Sequence, residues 1–513
     1  MLMSAATRPV PFKPDVSELL SRARAIAEIV RDRAQATETN RRIADDVIER
    51  MREAELFRIL QPNAYGGFEY GFNVFAELVA TIGRGCGSSA WVYGLGAVHQ
   101  WFTACFPKEA QEEFWADTGA IAAGSYAPAG KTVAVDGGFR TIGVWSFASG
   151  CDNAQWYFLA TMIPPADESG APKPSFLLVS RGDIRIDDNW HTMGLAGTGS
   201  KNIVADDLFV PAHRALAIAD LAAGTGPGTL INTNPLYRQS FLSVVPVTLI
   251  SPVLGMAEGA LADFVNMVQV RSTRGAVAGG NRRMAEFATI QSRVAEATGC
   301  IDAARLIMFR DLAETNAAAT RGEQTPLDMR LRNRLNHTFC TRLLVQAIDA
   351  LFTASGGQGI FLEKPLQRVW RDAHAAAAHI SLNWDAVSTM YGQYVLGLEP
   401  KGQYGSHRQD FRASGQDVWP ADEQTPDAAR RERASLRAAS APSSCENRTG
   451  RISLVITPPL LGFSTRMSVC ASGRPAGITS LPPAFSCWIS GGGIRSGAAV
   501  TITLSNGACS DQP

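Results

Sequence analysis

The chain has 513 residues, 46% hydrophobic and 19% charged, and its 48 basic residues balance its 48 acidic ones. This composition suits a globular protein of about three structural units, at roughly 150 residues each, and excludes a chain too polar to bury a core. Zero net charge argues against nucleic-acid binding, which needs cations to neutralise phosphates.

No run of about 18 apolar residues reads as a membrane span. The start, MLMSAATRPVPFKPDVSELL, lacks the apolar stretch of a signal peptide. The expectation is a cytoplasmic protein without a membrane partner. Residues 15–120 read as helical, with Leu19, Leu20, Ala23, Ile26, Ile29 and Val30 recurring at helical spacing. A second helix is predicted over roughly 40–55, and two more over 73–82 and 88–106, the last nearly all apolar and therefore buried. Between them, Pro62 and the Gly66-Gly67 pair mark a loop.

Residues 121–235 change to short strand-like runs, with a hairpin turn at Asp136-Gly137-Gly138. This stretch is too poor in helix for a doubly wound fold. Helical periodicity returns over 236–405, in the stripe Ile290, Val294, Ala297, Ile301, Ala304 and in Leu343, Leu344, Ala347, Ile348, Leu351. The sequence ASGGQG (354–359) interrupts it, and a further helix is predicted over roughly 365–396. Residues 406–513 differ in texture: the last lysine of the chain is Lys401, and 441–513 are rich in Ser, Gly, Pro and Cys. This tail reads either as a small appended domain or as a non-native extension, and the second is favoured; it is expected to be poorly ordered and without chemistry. Cys86, Cys105, Cys151, Cys300 and Cys340 are widely spaced with no CxxC pair, so no metal site is expected and buried thiols are.

The order helical, β, helical, together with QPNAYGG (61–67), GCGSSAWV (85–92), WHTMGLAGTGSKNIVADDLFVP (190–211) and GGQGIFLEKPLQRVWRDAHAAAAH (356–379), resembles the acyl-CoA dehydrogenase superfamily. The resemblance implies an α+β fold: an N-terminal helical domain, a small central β-barrel or sandwich, and a C-terminal four-helix bundle. In detail the chain is similar to the flavin-dependent monooxygenase branch, the oxygenase components of two-component aromatic hydroxylases such as 4-hydroxyphenylacetate 3-hydroxylase. The dehydrogenases carry a catalytic Glu eight or so residues beyond an Arg-Asp pair. Here that pair is Arg371-Asp372, and Ile380 stands at the matching place, beside His379.

The resemblance implies a set of site residues. His379 would donate a hydrogen bond to a flavin C4a-hydroperoxide, and Ser149 of WSFASGCDNAQW would sit beside flavin N5; Asn153 replaces the His common in this segment. His99 and Ser125 would meet the phenolic oxygen of the substrate, a small phenolic or indolic aromatic being the implied class. Read alone, Ser149 is equally a turn serine and His99 a satisfied core histidine. Thr198 and Ser200 would contact the flavin. Arg271 or Arg274 of VRSTRG would pair with its phosphate, and Gly356 and Gly357 would let backbone approach it. No strand–GxGxxG–helix is present, so no nicotinamide site is expected. The implied activity uses reduced FMN or FAD from a separate NAD(P)H-dependent reductase, O2 and a small aromatic substrate, in a homotetramer. An FAD-dependent acyl-CoA dehydrogenase and a non-catalytic self-assembling scaffold remain the alternatives.

Overall fold

The computed structural model describes residues 13–165, 170–273 and 282–401. Arg274 and the tail 406–513 lie outside the described residues. The N-terminal helices are α1 (Val16–Asn40), α2 (Asp45–Glu53), α3 (Phe72–Gly83), α4 (Gly87–Ala104) and α5 (Lys108–Phe114). Asp15 starts α1 by accepting the Glu18 amide, a side-chain cap for an otherwise unpaired donor. Every residue of α4 is buried, as a helix apolar on all sides requires.

The strands are β1 (Ala122–Ser125), β2 (Lys131–Val135), β3 (Gly138–Ala148), β4 (Trp156–Ile163), β5 (Lys173–Ser180), β6 (Arg185–Asp187), β7 (Lys201–Pro211) and β8 (Ala215–Ala217). They form two four-stranded sheets, ordered β1-β4-β5-β8 and β2-β3-β7-β6. Only β1 against β4 is parallel; the other pairs of these sheets are antiparallel. The predicted hairpin is the β2–β3 turn, with Val135 opposite Gly138 across Asp136-Gly137. The sheets bury a core of their own around Trp145, Tyr157, Leu159 and Ile203.

After α6 (Ile218–Ala223) and α7 (Phe241–Val244) come α8 (Val247–Val270), α9 (Ala288–Thr320), α10 (Leu327–Ser355), α11 (Pro365–Ala377) and α12 (Trp384–Val395). The helices on either side of the β-sheets share one apolar core, a single cluster that runs from Leu19 through Trp101 and Leu254 to Ile348 and Leu351. Phe241–Val270 is, by length and composition, apolar enough to cross a membrane, contrary to the expectation that no such run exists; 94% of its most apolar window is buried inside the protein. The expected single helix over 365–396 is two. The Asn383 side chain caps α12 by accepting the Ala386 amide, and the chain between the helices, 378–383, carries His379.

Candidate active site

The antiparallel β3–β7 pair sets the first part of the site. Ala148 lies opposite Lys201, so the next residue on one strand and the preceding one on the other, Ser149 and Ser200, fall side by side. Their hydroxyls are 2.7 Å apart, and Ser200 Oγ is 2.6 Å from Thr198 Oγ1. Thr198 Oγ1 donates to the Leu195 carbonyl at 2.7 Å. At the other end the Trp91 indole Nε1 donates to Ser149 Oγ at 3.2 Å. A carbonyl can only accept, and an indole N–H can only donate. Each hydroxyl proton is therefore assigned in turn: Ser149 to Ser200, Ser200 to Thr198, Thr198 to Leu195. Within this chain Ser149 has spent its proton and keeps a lone pair for anything that approaches it.

Trp91 joins this chain to His379, whose ring meets the indole edge-on at 5.9 Å between centroids. The Ser381 amide donates to His379 Nδ1 at 3.1 Å. Nδ1 is thus the acceptor, and a neutral ring carries its proton on Nε2, ready to donate. The surrounding protein, and then the Arg334 charge, hold the His379 pKa below the usual imidazole range. More than a third of the residue's surface nonetheless remains open, so desolvation is partial and the direction, not its size, is what the geometry supports.

The loop carrying Thr198 is fastened to α11. Asp372 accepts the Leu195 amide at 2.6 Å, and Arg371 donates to the Met193 carbonyl at 2.5 Å. A side chain at Gly194 would place its Cβ 2.2 Å from the Arg371 carbonyl oxygen, so only glycine fits. Burial raises the Asp372 pKa to about 6. Asn153 lies apart from the Ser149 chain and donates instead to Asp45 Oδ1 at 2.8 Å.

His99, on α4, is fully enclosed. Its Nδ1 is 2.6 Å from the Ala122 carbonyl, and its Nε2 is 2.7 Å from the Tyr126 hydroxyl. Burial lowers its pKa to about 4, so the ring is neutral. Nδ1 then donates to Ala122, and Nε2 accepts the Tyr126 O–H. Ser125 is buried and donates to the Ser146 carbonyl at 2.5 Å. Tyr126 was not singled out in the sequence; its position, next to Ser125 at the end of β1, was the available signal. Arg334, on α10 and outside every motif quoted above, was missed as well. It is buried, and donates to the Ser381 carbonyl at 3.3 Å.

A narrow internal cavity of about 20 Å³ is lined by Leu95, Tyr126, Phe241, Arg334 and Ser381 among others. One wall is thereby tied to His99 and the other to His379. A separate, largely apolar cavity of about 650 Å³ brings Arg271 together with Arg31, Lys364, Ser355, Gln358 and Gly359. Arg271 donates to the Ser355 carbonyl at 3.1 Å. Gly356 and Gly357 border this loop without lining the cavity, and Gly356 takes a φ of 65°, in the left-handed region. His379, Ser149, Thr198 and Ser200 are not among the residues lining this second cavity.

The helix–sheet–helix order and this arrangement define a chain of the acyl-CoA dehydrogenase fold. Family models for the acyl-CoA dehydrogenase N-terminal and C-terminal domains match residues 14–119 and 247–384. The chain is 45% identical over 408 residues to the FADH(2)-dependent resorcinol hydroxylase, oxygenase component, of Rhizobium sp. (strain MTP-10005), covering 78% of this chain and 99% of that one. Among solved structures it is similar to 3-HSA hydroxylase from Rhodococcus sp. RHA1, with TM-score 0.71, 36% identity, and coverage of 76% of this chain and 100% of the other. It is also similar to XiaF from Streptomyces sp. in complex with FADH2 and glycerol, with TM-score 0.69, 27% identity, and coverage of 76% and 98%. The chain belongs to the flavin-dependent monooxygenases of this fold, as an oxygenase component.

Proposed function

We propose that this protein hydroxylates a small phenol, with a resorcinol-like ring as the first candidate, using O2 and a reduced flavin delivered by a separate NAD(P)H-dependent reductase. The observation that carries this reading is the small cavity whose walls are fastened to His99 on one side and to His379 on the other. The bound reduced flavin would supply the electrons and the site at which O2 is activated. The protein's own groups bind, orient and exclude water. Ser149 offers an acceptor, His379 Nε2–H offers a donor, and apolar walls from Leu95 and Phe241 favour an aromatic ring over water.

The donor set fits a flavin. Thr198 and Ser200 are buried beside a half-exposed Ser149, which suits a polar ring edge. Arg271 and Lys364 around the larger cavity suit a phosphate arm, for FMN or FAD. A dehydrogenase reading lacks its base, since an exposed Ile380 stands where the carboxylate would be. A homotetramer is part of the proposal, supported by exposed Ile360, Phe361, Leu362, Leu396 and Leu398 on the C-terminal helices and their links. The test is a reaction of the reduced-flavin complex with oxygenated buffer, in the presence of resorcinol, with product identified by chromatography. A hydroxylated ring is the expected result. Flavin oxidation that yields peroxide alone, across a panel of phenols and indoles, would overturn the reading.

A further inference from the structure

The segment that joins α7 to α8 supplies one wall of the small internal cavity. Phe241, Leu242, Val245, Pro246 and Leu249 line it with apolar groups, and Thr248 is the polar residue among them. Thr248 is fully buried, and its Oγ1 finds no hydrogen-bond partner among the described residues. Ser240, Ser243 and Ser251 of the same stretch also carry buried, unpartnered hydroxyls, but they do not line the cavity. Leaving a buried hydroxyl unpaired lowers stability, whereas a methyl group of the same shape carries no such penalty. We propose that Thr248 is a substrate-binding residue, that it hydrogen-bonds a second oxygen on the ring, and that the substrate class is therefore a dihydroxybenzene. This assignment deepens, and rests on, the phenol-hydroxylase reading above.

The place of Thr248 on the wall suits that role. Its methyl group packs on α4 at Gly94, where an added Cβ would lie 3.3 Å from it. His99, which family resemblance gives to one ring oxygen, is five residues further along α4, a rise of roughly 7.5 Å. Leu95, beside Gly94 and one turn before His99 on the same helix face, lines the cavity. A ring can therefore present one oxygen towards the His99 end and another towards Thr248. A hydroxyl both donates and accepts, so Thr248 can take a phenolic O–H or a phenolate. The side chains around it on this wall are apolar, so they compete for neither its hydroxyl nor a second ring oxygen. At about 20 Å³ the cavity admits a water molecule and not a ring, so its walls part as substrate enters, and the new hydrogen bond then satisfies the hydroxyl.

Thr248→Val keeps the side chain's shape and puts a methyl group in place of the hydroxyl; 3-methylphenol makes the same exchange on resorcinol. Dissociation constants for both ligands would be measured anaerobically on the reduced-FMN complexes of wild type, Thr248→Val, Thr248→Ser and Ser251→Ala. The quantity read is the 3-methylphenol constant divided by the resorcinol constant. In Thr248→Val this ratio should fall about tenfold, the scale of one lost hydrogen bond, through weaker resorcinol binding. Thr248→Ser, which keeps the hydroxyl, and Ser251→Ala, whose hydroxyl lies off the cavity, should keep the wild-type ratio. Without ligand, Thr248→Val should melt no lower than wild type, since no internal hydrogen bond is lost. An unchanged ratio in Thr248→Val overturns the assignment, since the hydroxyl would then serve only a water in the cavity. An equal fall in Ser251→Ala overturns it too, as does a lower melting temperature of Thr248→Val, which would place the hydroxyl's partner inside the protein. Any of these outcomes with a wild type that hydroxylates phenols removes only the Thr248 assignment. A wild type that neither binds nor hydroxylates any phenol removes the functional reading as well.

Discussion

At the scale of single residues, the chain from Trp91 through Ser149, Ser200 and Thr198 has a direction, because it starts at an obligate donor and ends at an obligate acceptor. Reduced flavin carries a proton on N5 and oxidised flavin does not. If Ser149 faces N5, its spent proton favours the reduced form. Ser200→Ala frees that proton, so the ratio of dissociation constants for oxidised and reduced FMN should shrink, by about fivefold for an altered hydrogen bond of roughly 1 kcal/mol. An unchanged ratio would mean that Ser149 does not meet N5. His379→Leu removes the Nε2–H donor that the Ser381 contact leaves pointing outward. Product per reduced flavin should fall on the order of 100-fold, with peroxide rising in its place, as expected for loss of a donor to developing charge. Peroxide electrodes and product chromatography read both quantities.

At the scale of elements, the break between α11 and α12 is what delivers His379. The stretch DAHAAAAHISLNW has no Gly or Pro, and its periodicity reads straight through. After α11 stops at Ala377, the next helix is started by the Asn383 side chain, which accepts the Ala386 amide. Asn383→Ala should lower stability by about 1 kcal/mol, seen as a lower denaturation midpoint, and should weaken flavin-coupled hydroxylation more than it changes flavin binding. The staple between Asp372 and the Leu195 amide is the counterpart on α11. The β3–β7 register was legible only as two strands; their pairing, and so the meeting of Ser149 with Ser200, required the sheet.

At the scale of the whole molecule, protonation equilibria link stability to acidity. His337 is buried and its pKa is pushed to about 3, first by burial and then by Arg334; His99 lies at about 4. A histidine whose folded pKa lies below its unfolded value near 6.5 takes up a proton on unfolding. Its contribution is full above about pH 6.5 and is lost as pH falls towards 4. Asp372 acts oppositely: its raised pKa, about 6, makes the folded state hold a proton more tightly, and costs stability as pH rises from about 4 to 6. Two imidazoles against one carboxyl leave a net acid destabilisation over pH 6.5 to 4. His337→Gln should flatten the fall in melting temperature between pH 7 and pH 5, measured by thermal scans; an equal fall would refute the assignment. A second prediction concerns length. The relative from Rhizobium is matched over 99% of its own sequence by 78% of this chain. A chain ending at residue 405 should therefore retain flavin binding and product formation within about twofold, and a larger loss would give the remaining residues a role.

The sequence by itself determined the helical, β, helical order, the buried α4 and the β2–β3 hairpin, because periodicity and turn residues are local along the chain, while the type of chemistry came from its resemblance to a known family. It also placed His379, Ser149, Thr198 and Ser200 as candidates, and the tertiary structure brings these four into one connected group through Trp91. Only the tertiary structure decided how the nitrogens of His99 and His379 are engaged, that Tyr126 lines the small cavity while His99 does not, and that Arg271 and the ASGGQG loop border a cavity that Ser149 does not line. Those facts depend on contacts between residues far apart in the chain, such as the hydrogen bond between Arg271 and Ser355, 84 positions apart, and no pattern within a window of sequence can carry them.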